Sequence, residues 1–195
     1  SIPIKSYPSI LTVMYTPKVE HEERPEFIHY AKSEGFYEYE IYPEGKRSVY
    51  FPVEHIVPLE SNWHRSGYDF GTDTTVRKAI EKARDSNMIV ATHFYKIREP
   101  DTLGFYIISP IYERDREVKT IRDRRKHLEG MLMLEIDAAT FFRNALGSGN
   151  PSDTSIVFQC IDVRKNKDNK VVYDSYNSEL LETDYNPELK TETNI

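Results

Sequence analysis

One segment, residues 103–112, constrains the fold more than any other, because it predicts a strand that is apolar on both faces. Leu103, Phe105 and Ile107 fall on one face, and the residues between them are also mostly apolar. A strand of this kind lies in the middle of a sheet that is covered by other elements. The chain must therefore supply neighbouring strands and covering helices.

Further strands are predicted on both sides of this segment, from aromatic–acidic alternation or from enrichment in Val, Ile, Tyr and Phe. They lie at 36–41, 48–59, 88–97, 130–136, 155–163 and 171–173. The last two form a hairpin after a polar linker at 147–152. The period of residues 10–15 does not distinguish a helix from a strand.

Helices are predicted at 18–34, at 72–87 and directly after Asp137. The second has its apolar residues at i, i+3, i+4 and i+7, and Asp73 can cap its start while Asn87 suits its end. The third begins at the cap Asp137 and closes at Gly147. Segment 113–127 is basic and predicts a solvated loop, with an anion- or lipid-binding patch as the alternative. The order of elements predicts an α+β fold with one mostly antiparallel sheet and helices to one side.

Composition excludes several classes of protein. The single cysteine, Cys160, excludes an internal disulfide and a zinc site with two thiolates. A net charge of −6 argues against nucleic acid as the partner. No window of 18 apolar residues occurs, so this stretch of sequence contains no membrane span. The histidines have no metal-ligand spacing, and no phosphate loop or nucleophile elbow occurs. We therefore predict no catalytic residue, no metal and no cofactor.

A loop at residues 60–71 holds an unusual group of side chains that suits ligand binding. The only tryptophan and a tyrosine can stack on a planar ligand, an amide can both donate and accept, and Asp69 lies before a Gly turn. Structural roles compete at each position, with the Trp as a core anchor and the Asn as a turn cap. The candidates are Asn62, Trp63, His64, Arg65, Tyr68 and Asp69.

Four strand residues are candidates for the walls of the same pocket, namely His93, Tyr95, Phe105 and Ile107. Which strand face would meet a ligand cannot be decided from the pattern, because a slip of one residue exchanges the two faces.

Several landmarks occur in a fixed order that is similar to a known family. Each is short, and their joint order and spacing carry the likeness. They are Tyr15-x-Pro17-x-Val19, Arg24, Phe27, Gly35-Phe36, Phe51-Pro52-Val53, Gly67, Asp69, the helix 77–83, the strand 104–112, Gly130-Met131-Leu132 and Phe141-Phe142. Together they resemble the CHASE domain, the extracytoplasmic sensory module of receptor-like histidine kinases and nucleotide cyclases.

The resemblance implies two PAS-like sheets in tandem behind an N-terminal stalk helix. Residues 1–34 would hold the end of the stalk and the start of the fold. Residues 35–147 would form the membrane-distal, ligand-sensing domain. Residues 148–195 would form the membrane-proximal portion and a tail toward the membrane.

The resemblance also implies a role. The chain would be the periplasmic or extracellular part of a membrane-anchored receptor that detects a small molecule in the distal pocket and is not itself an enzyme. Transmembrane helices would flank it, and the stalks would pair in a homodimer. The alternative is an ectodomain that senses osmotic state or a protein partner without a small ligand.

One departure from the family concerns the ligand. Plant cytokinin receptors, the best-known members, anchor the adenine ring by a carboxylate in the loop that corresponds to about Asn62–His64 here. This chain has no acid there. We therefore expect a ligand other than cytokinin, and an aromatic cage with His and Arg suits a planar acid or an amphipathic anion.

Overall fold

The computed structural model describes residues 7–58, 61–98, 102–146, 159–162 and 170–174. The strands are β1 (Ile10–Pro17), β2 (Val19–Glu20), β3 (Val49–Tyr50), β4 (His55–Val57), β5 (Val90–Ala91), β6 (Tyr95–Arg98), β7 (Thr102–Tyr112), β8 (Leu128–Asp137), β9 (Gln159–Asp162) and β10 (Lys170–Asp174). The α-helices are α1 (Arg24–Ser33), α2 (Thr74–Ser86), α3 (Ile121–Lys126) and α4 (Ala138–Leu146). Short 3-10 turns lie at His21–Glu23, Trp63–Arg65 and Phe70–Thr72.

The main sheet has six strands and is antiparallel at every pairing. Its order is β4-β1-β8-β7-β5, and β6 also pairs with β7. The apolar strand predicted at 103–112 is β7, which has partners on both sides. The α+β class and the mostly antiparallel sheet predicted from the sequence are therefore confirmed.

Two compact units divide the chain, one at residues 1–141 and the other at 142–195. The first contains the six-stranded sheet. In the second, β9 and β10 form an antiparallel pair, which matches the predicted hairpin. The tandem PAS-like arrangement and the proposed domain boundaries remain predictions.

The main core lies between one face of the sheet and α2. Register places Met14, Met133 and Ile108 side by side on β1, β8 and β7, and all three are fully buried. The apolar stripe of α2 packs on this face, as its spacing predicts. The helix begins after Asp73, whose carboxylate accepts from two backbone amides, and ends at the left-handed residue Asn87.

A second, smaller core surrounds Tyr39 and Tyr50, with α1 packed beside it. Here one sequence prediction is wrong, because residues 36–41 form a turn at 37–38 and irregular backbone instead of a strand. Tyr39 donates to the carbonyl of Val53 at 2.9 Å, and Ile41 is also buried. The alternation in this segment thus reflects the burial of Tyr39 and Ile41 in the second core, although the segment pairs with no strand.

Two other segments differ from expectation. Residues 10–17, left undecided from the sequence, form β1, which pairs with both β4 and β8. Within residues 7–34 the α-helix is Arg24–Ser33, so a stalk helix is not confirmed there. The basic segment at 113–127 was expected to be a loop, but it contains α3, which starts with a capping box at Thr120 and Asp123.

Candidate functional site

A polar cluster lies at one end of the sheet face that α2 covers. Thr12 on β1, Glu135 on β8 and Tyr106 on β7 are neighbours across three adjacent strands. Successive side chains of a strand alternate between faces, so these residues share the face of Met14, Met133 and Ile108. The sheet thus presents an apolar core at one end of this face and a buried carboxylate at the other.

Glu135 is the centre of the cluster, and its residue is only 5% exposed. Its Oε1 accepts from the hydroxyl of Tyr95 at 2.6 Å and from that of Tyr106 at 3.2 Å. Its Oε2 accepts from Nη1 of Arg65 at 2.7 Å and from the hydroxyl of Thr12 at 3.2 Å. Four side chains from four segments therefore satisfy one carboxylate.

Arg65 closes the cluster from the loop side. Its Nη2 donates to the hydroxyl of Tyr106 at 2.9 Å, in addition to the ion pair with Glu135. Tyr95 and Tyr106 stack with ring centroids 4.9 Å apart and an interplanar angle of 19°. The two rings and the guanidinium together cover the carboxylate.

Backbone hydrogen bonds hold the loop that carries Arg65. The amide of Gly67 donates to Val53 at 2.8 Å, and the amide of Val53 donates to Tyr68 at 3.0 Å. Gly67 has φ of 84°, and a Cβ there would collide with the carbonyl oxygen of Glu40. A side chain at this position would move the loop, so Gly67 helps to present Arg65 in a fixed place.

The electrostatics of the cluster favour the ion pair. Burial alone would raise the pKa of Glu135, but the charge of Arg65 and the hydrogen bonds from Tyr95, Arg65 and Thr12 outweigh burial, and the pKa falls below its ordinary value. Burial and the nearby carboxylate raise the pKa of both Tyr95 and Tyr106. Glu135 is therefore ionised at neutral pH, while both phenols keep their protons.

Of the residues predicted from the loop, Arg65 alone enters the cluster. Asn62 is buried, and its side-chain amide donates to the carbonyl of Pro58 and the hydroxyl of Ser61, which is a structural role. Trp63 is 67% exposed and therefore is not the core anchor considered from the sequence. His64 is exposed beside it, and Tyr68 packs against Phe70 at the edge of the core.

Asp69 is fully buried and serves the backbone. Its Oδ1 accepts from the amides of Phe51 and Gly71, both at 2.8 Å. Its Oδ2 lies 3.5 Å from Nε of Arg47. This geometry matches the structural alternative considered for Asp69 and places its carboxylate inside a turn.

The strand candidates divide between the two faces of the sheet. Tyr95 belongs to the cluster, whereas Phe105 and Ile107 alternate with Tyr106 and so face the other side. Phe105 makes edge-to-face contacts with Phe94 and Phe141 there. His93 is half-buried, with a buried Nδ1 that has no hydrogen-bond partner among the described residues. The structure therefore does not bring these four residues together.

Glu135, Tyr106 and Thr12 were missed from the sequence. The available signal was a single acid inside the apolar strand predicted at 130–136. A charged residue in a buried strand needs a partner, so Glu135 by itself indicates a polar site. Its partners could not be named, because they come from residues 29 to 123 positions away in the chain.

Metal-binding clusters and membrane-spanning helices are both absent from the part of the chain that the structure describes. They contain no group of three or more His, Cys, Asp or Glu side chains arranged to hold a metal ion. Their helices include none with the length and apolar character needed to cross a bilayer.

The family model of the CHASE domain matches residues 3–173, and the chain belongs to this family. CHASE domains are extracytoplasmic sensory domains of signalling receptors and are not catalytic. Comparison with curated proteins finds no match.

Proposed function

We propose that this chain is the small-molecule-sensing ectodomain of a transmembrane receptor, and that the ligand binds where the 61–68 loop meets the α2 side of the sheet. The observation that carries the proposal is the Glu135 cluster, in which a buried carboxylate beside an apolar core accepts hydrogen bonds from four side chains. Binding sites combine apolar walls with a few placed polar groups, and on this face of the sheet the polar cluster adjoins the apolar core.

The network is costly for a purely structural element. A buried ion pair is often no better for stability than a packed apolar pair of similar size, because both charges lose their hydration. Buried charges that persist in such a place are typical of functional sites. The exposed Trp63 and His64 adjoin Arg65 in sequence and lie at the solvent edge of the same loop.

The remaining features of the receptor are proposed from family membership. Transmembrane helices flank the domain, the output is a histidine kinase or a nucleotide cyclase, and two receptors pair as a homodimer. A ligand changes the output by binding one of two receptor states more tightly than the other. The competing function is the sensing of osmotic state or of a protein partner without a small ligand. It predicts that no small molecule binds at this site.

A thermal-shift screen of the 195-residue chain tests ligand sensing. The library contains purines, amino acids, small carboxylates, aromatic acids and short fatty acids, and native mass spectrometry first checks for a ligand retained from expression. A ligand at 100 times its Kd adds about 2.7 kcal/mol to the free energy of unfolding, a shift of several degrees in Tm. A saturable shift that Arg65→Gln abolishes supports the proposal. A folded, ligand-free sample that responds to nothing contradicts it.

A further inference from the structure

The hydrogen-bonding capacity of Glu135 is already used. An ionised carboxylate offers about four lone-pair sites on two oxygens. Oε1 accepts from Tyr95 and Tyr106, and Oε2 accepts from Arg65 and Thr12. A ligand that donates hydrogen bonds or carries a positive charge would have to displace one of these donors to reach the carboxylate.

Arg65 has capacity left. A guanidinium has five N–H donors, and among the described residues its bonds use one donor on Nη1 and one on Nη2. Its side chain is 19% exposed, against 7% for that of Glu135. Of the two members of the ion pair, Arg65 is therefore the one more accessible to a ligand that enters from solvent.

Apart from Glu135, which already pairs with Arg65, the loop around the guanidinium adds no negative charge that would repel an anionic acceptor. Residues 61–68 contain Arg65 and His64 but no acidic residue. Tyr95 and Arg65 both donate hydrogen bonds to Glu135. The ring of Tyr95 is half-buried and stacks on the ring of Tyr106. A guanidinium edge beside an aromatic surface matches a planar molecule that ends in a carboxylate, because two parallel N–H groups can donate to both carboxylate oxygens at once.

We propose that the ligand of this site is a small aromatic carboxylic acid, whose carboxylate binds the free edge of Arg65 while Glu135 fixes the guanidinium from behind. The inference rests on the proposed small-molecule function and names its chemical class. Arg65 is then the residue that determines specificity. Glu135, Tyr106 and Thr12 are positioning residues that do not touch the ligand.

The test compares matched compounds that differ only in the polar group. Benzoate, benzamide and benzylamine form one series, and 2-naphthoate, 2-naphthamide and 2-naphthylmethylamine form the other. Their affinities for the 195-residue chain are measured by calorimetry at pH 7.5. We expect an acid to bind at least about tenfold more tightly than its amide, because a charge-assisted hydrogen bond carries about that factor. The amines are expected not to bind.

Two arginine variants locate the bound acid. Arg65→Lys keeps the charge but loses the fork, and we expect it to weaken acid binding about tenfold. Arg77→Lys is the matched control on the exposed side of α2, and it is expected to leave the affinity unchanged. Circular dichroism and urea unfolding confirm that both variants are folded.

The outcomes separate this inference from the proposed function. Equal or tighter binding of amides or amines overturns the acid class but supports a small-molecule sensor. An acid affinity that Arg65→Lys does not change overturns the role of Arg65. Failure of both acids to bind also overturns the inference, and the wider thermal-shift screen then decides independently whether another class of small molecule binds.

Discussion

Two buried carboxylates, Glu135 and Asp69, solve the same physical problem in opposite ways. Asp69 accepts from the backbone amides of Phe51 and Gly71, and Gly71 is two residues away in the chain. Glu135 accepts from four side chains, and the nearest of them in sequence is 29 residues away. Both acids are nearly inaccessible to solvent.

The difference indicates what each acid is for. Backbone amides cannot be exchanged or moved without changing the fold, so the site of Asp69 is a fixed part of the turn. Side-chain donors can rearrange, and Arg65 is partly exposed, so the site of Glu135 has the freedom that the proposed ligand binding requires. Both acids are buried, and the two sites differ in their hydrogen-bond donors, which are backbone amides for Asp69 and side chains for Glu135.

The largest expected effect is that of Glu135→Ala. It leaves the guanidinium of Arg65 buried without its counter-charge, and loss of one partner of a buried ion pair costs about 3–5 kcal/mol. Urea unfolding at pH 7 measures the change in the free energy of unfolding. As a control, Arg65→Met combined with Glu135→Leu should recover only part of the loss, because it removes both charges but leaves the hydroxyls of Thr12, Tyr95 and Tyr106 without this acceptor. A single variant that loses less than about 1 kcal/mol would contradict the burial of this pair.

Asp69→Ala is expected to cost about 2–4 kcal/mol, because two buried amides lose their acceptor at about 1–2 kcal/mol each. The matched pair Asp69→Asn and Glu135→Gln sharpens the comparison. Asn at position 69 can keep its accepting oxygen toward both backbone amides. Gln at position 135 must turn its NH2 group, which is itself a donor, toward side chains that also donate. We expect Asn to be tolerated much better than Gln in urea unfolding. Equal losses would show that the two sites do not differ in kind.

Tyr95→Phe removes the shortest hydrogen bond to Glu135 and leaves the ring stack on Tyr106 in place. We expect a loss of about 1–2 kcal/mol, since a hydrogen bond to a charged group contributes about 1.5–3 kcal/mol and Tyr106 remains as a donor. A double-mutant cycle with Glu135→Gln measures the coupling. If the two substitutions are additive within about 0.5 kcal/mol, the hydroxyl of Tyr95 does not act through Glu135.

The smallest expected effect concerns pH. The pKa of Glu135 is lowered in the folded state, so its contribution to stability is complete above its unfolded value of about 4.3 and is lost as the pH falls through the lower folded value. Unfolding free energies from pH 7 to pH 3 should therefore fall more steeply for the native chain than for Glu135→Gln. If the free energy of unfolding falls equally with pH for the two proteins, the ion pair with Arg65 does not favour the ionised form of Glu135.

The sequence was most informative where the signal is local. The spacing of Val76, Ala79, Ile80 and Ala83, with Asp73 before them, predicted α2, and the structure confirms its core face and its cap. It was least informative at residues 36–41, where aromatic alternation indicated a strand. A strand forms only where a second strand pairs with it, and a local pattern carries no information about that partner. This segment instead forms a turn and irregular backbone that packs on the second core.

By itself, the sequence determined the α+β class, the central position of β7 and the capped helices. It also showed the resemblance to the CHASE domain, which the match to the family model confirms. These properties follow from periodicity, caps and the order of short motifs, all of which are local. Only the tertiary structure decided that Arg65 and Tyr95 meet Glu135 while Phe105 and Ile107 face away. Strand register selects the face of every side chain, and register is set by pairings between segments that are distant in the chain.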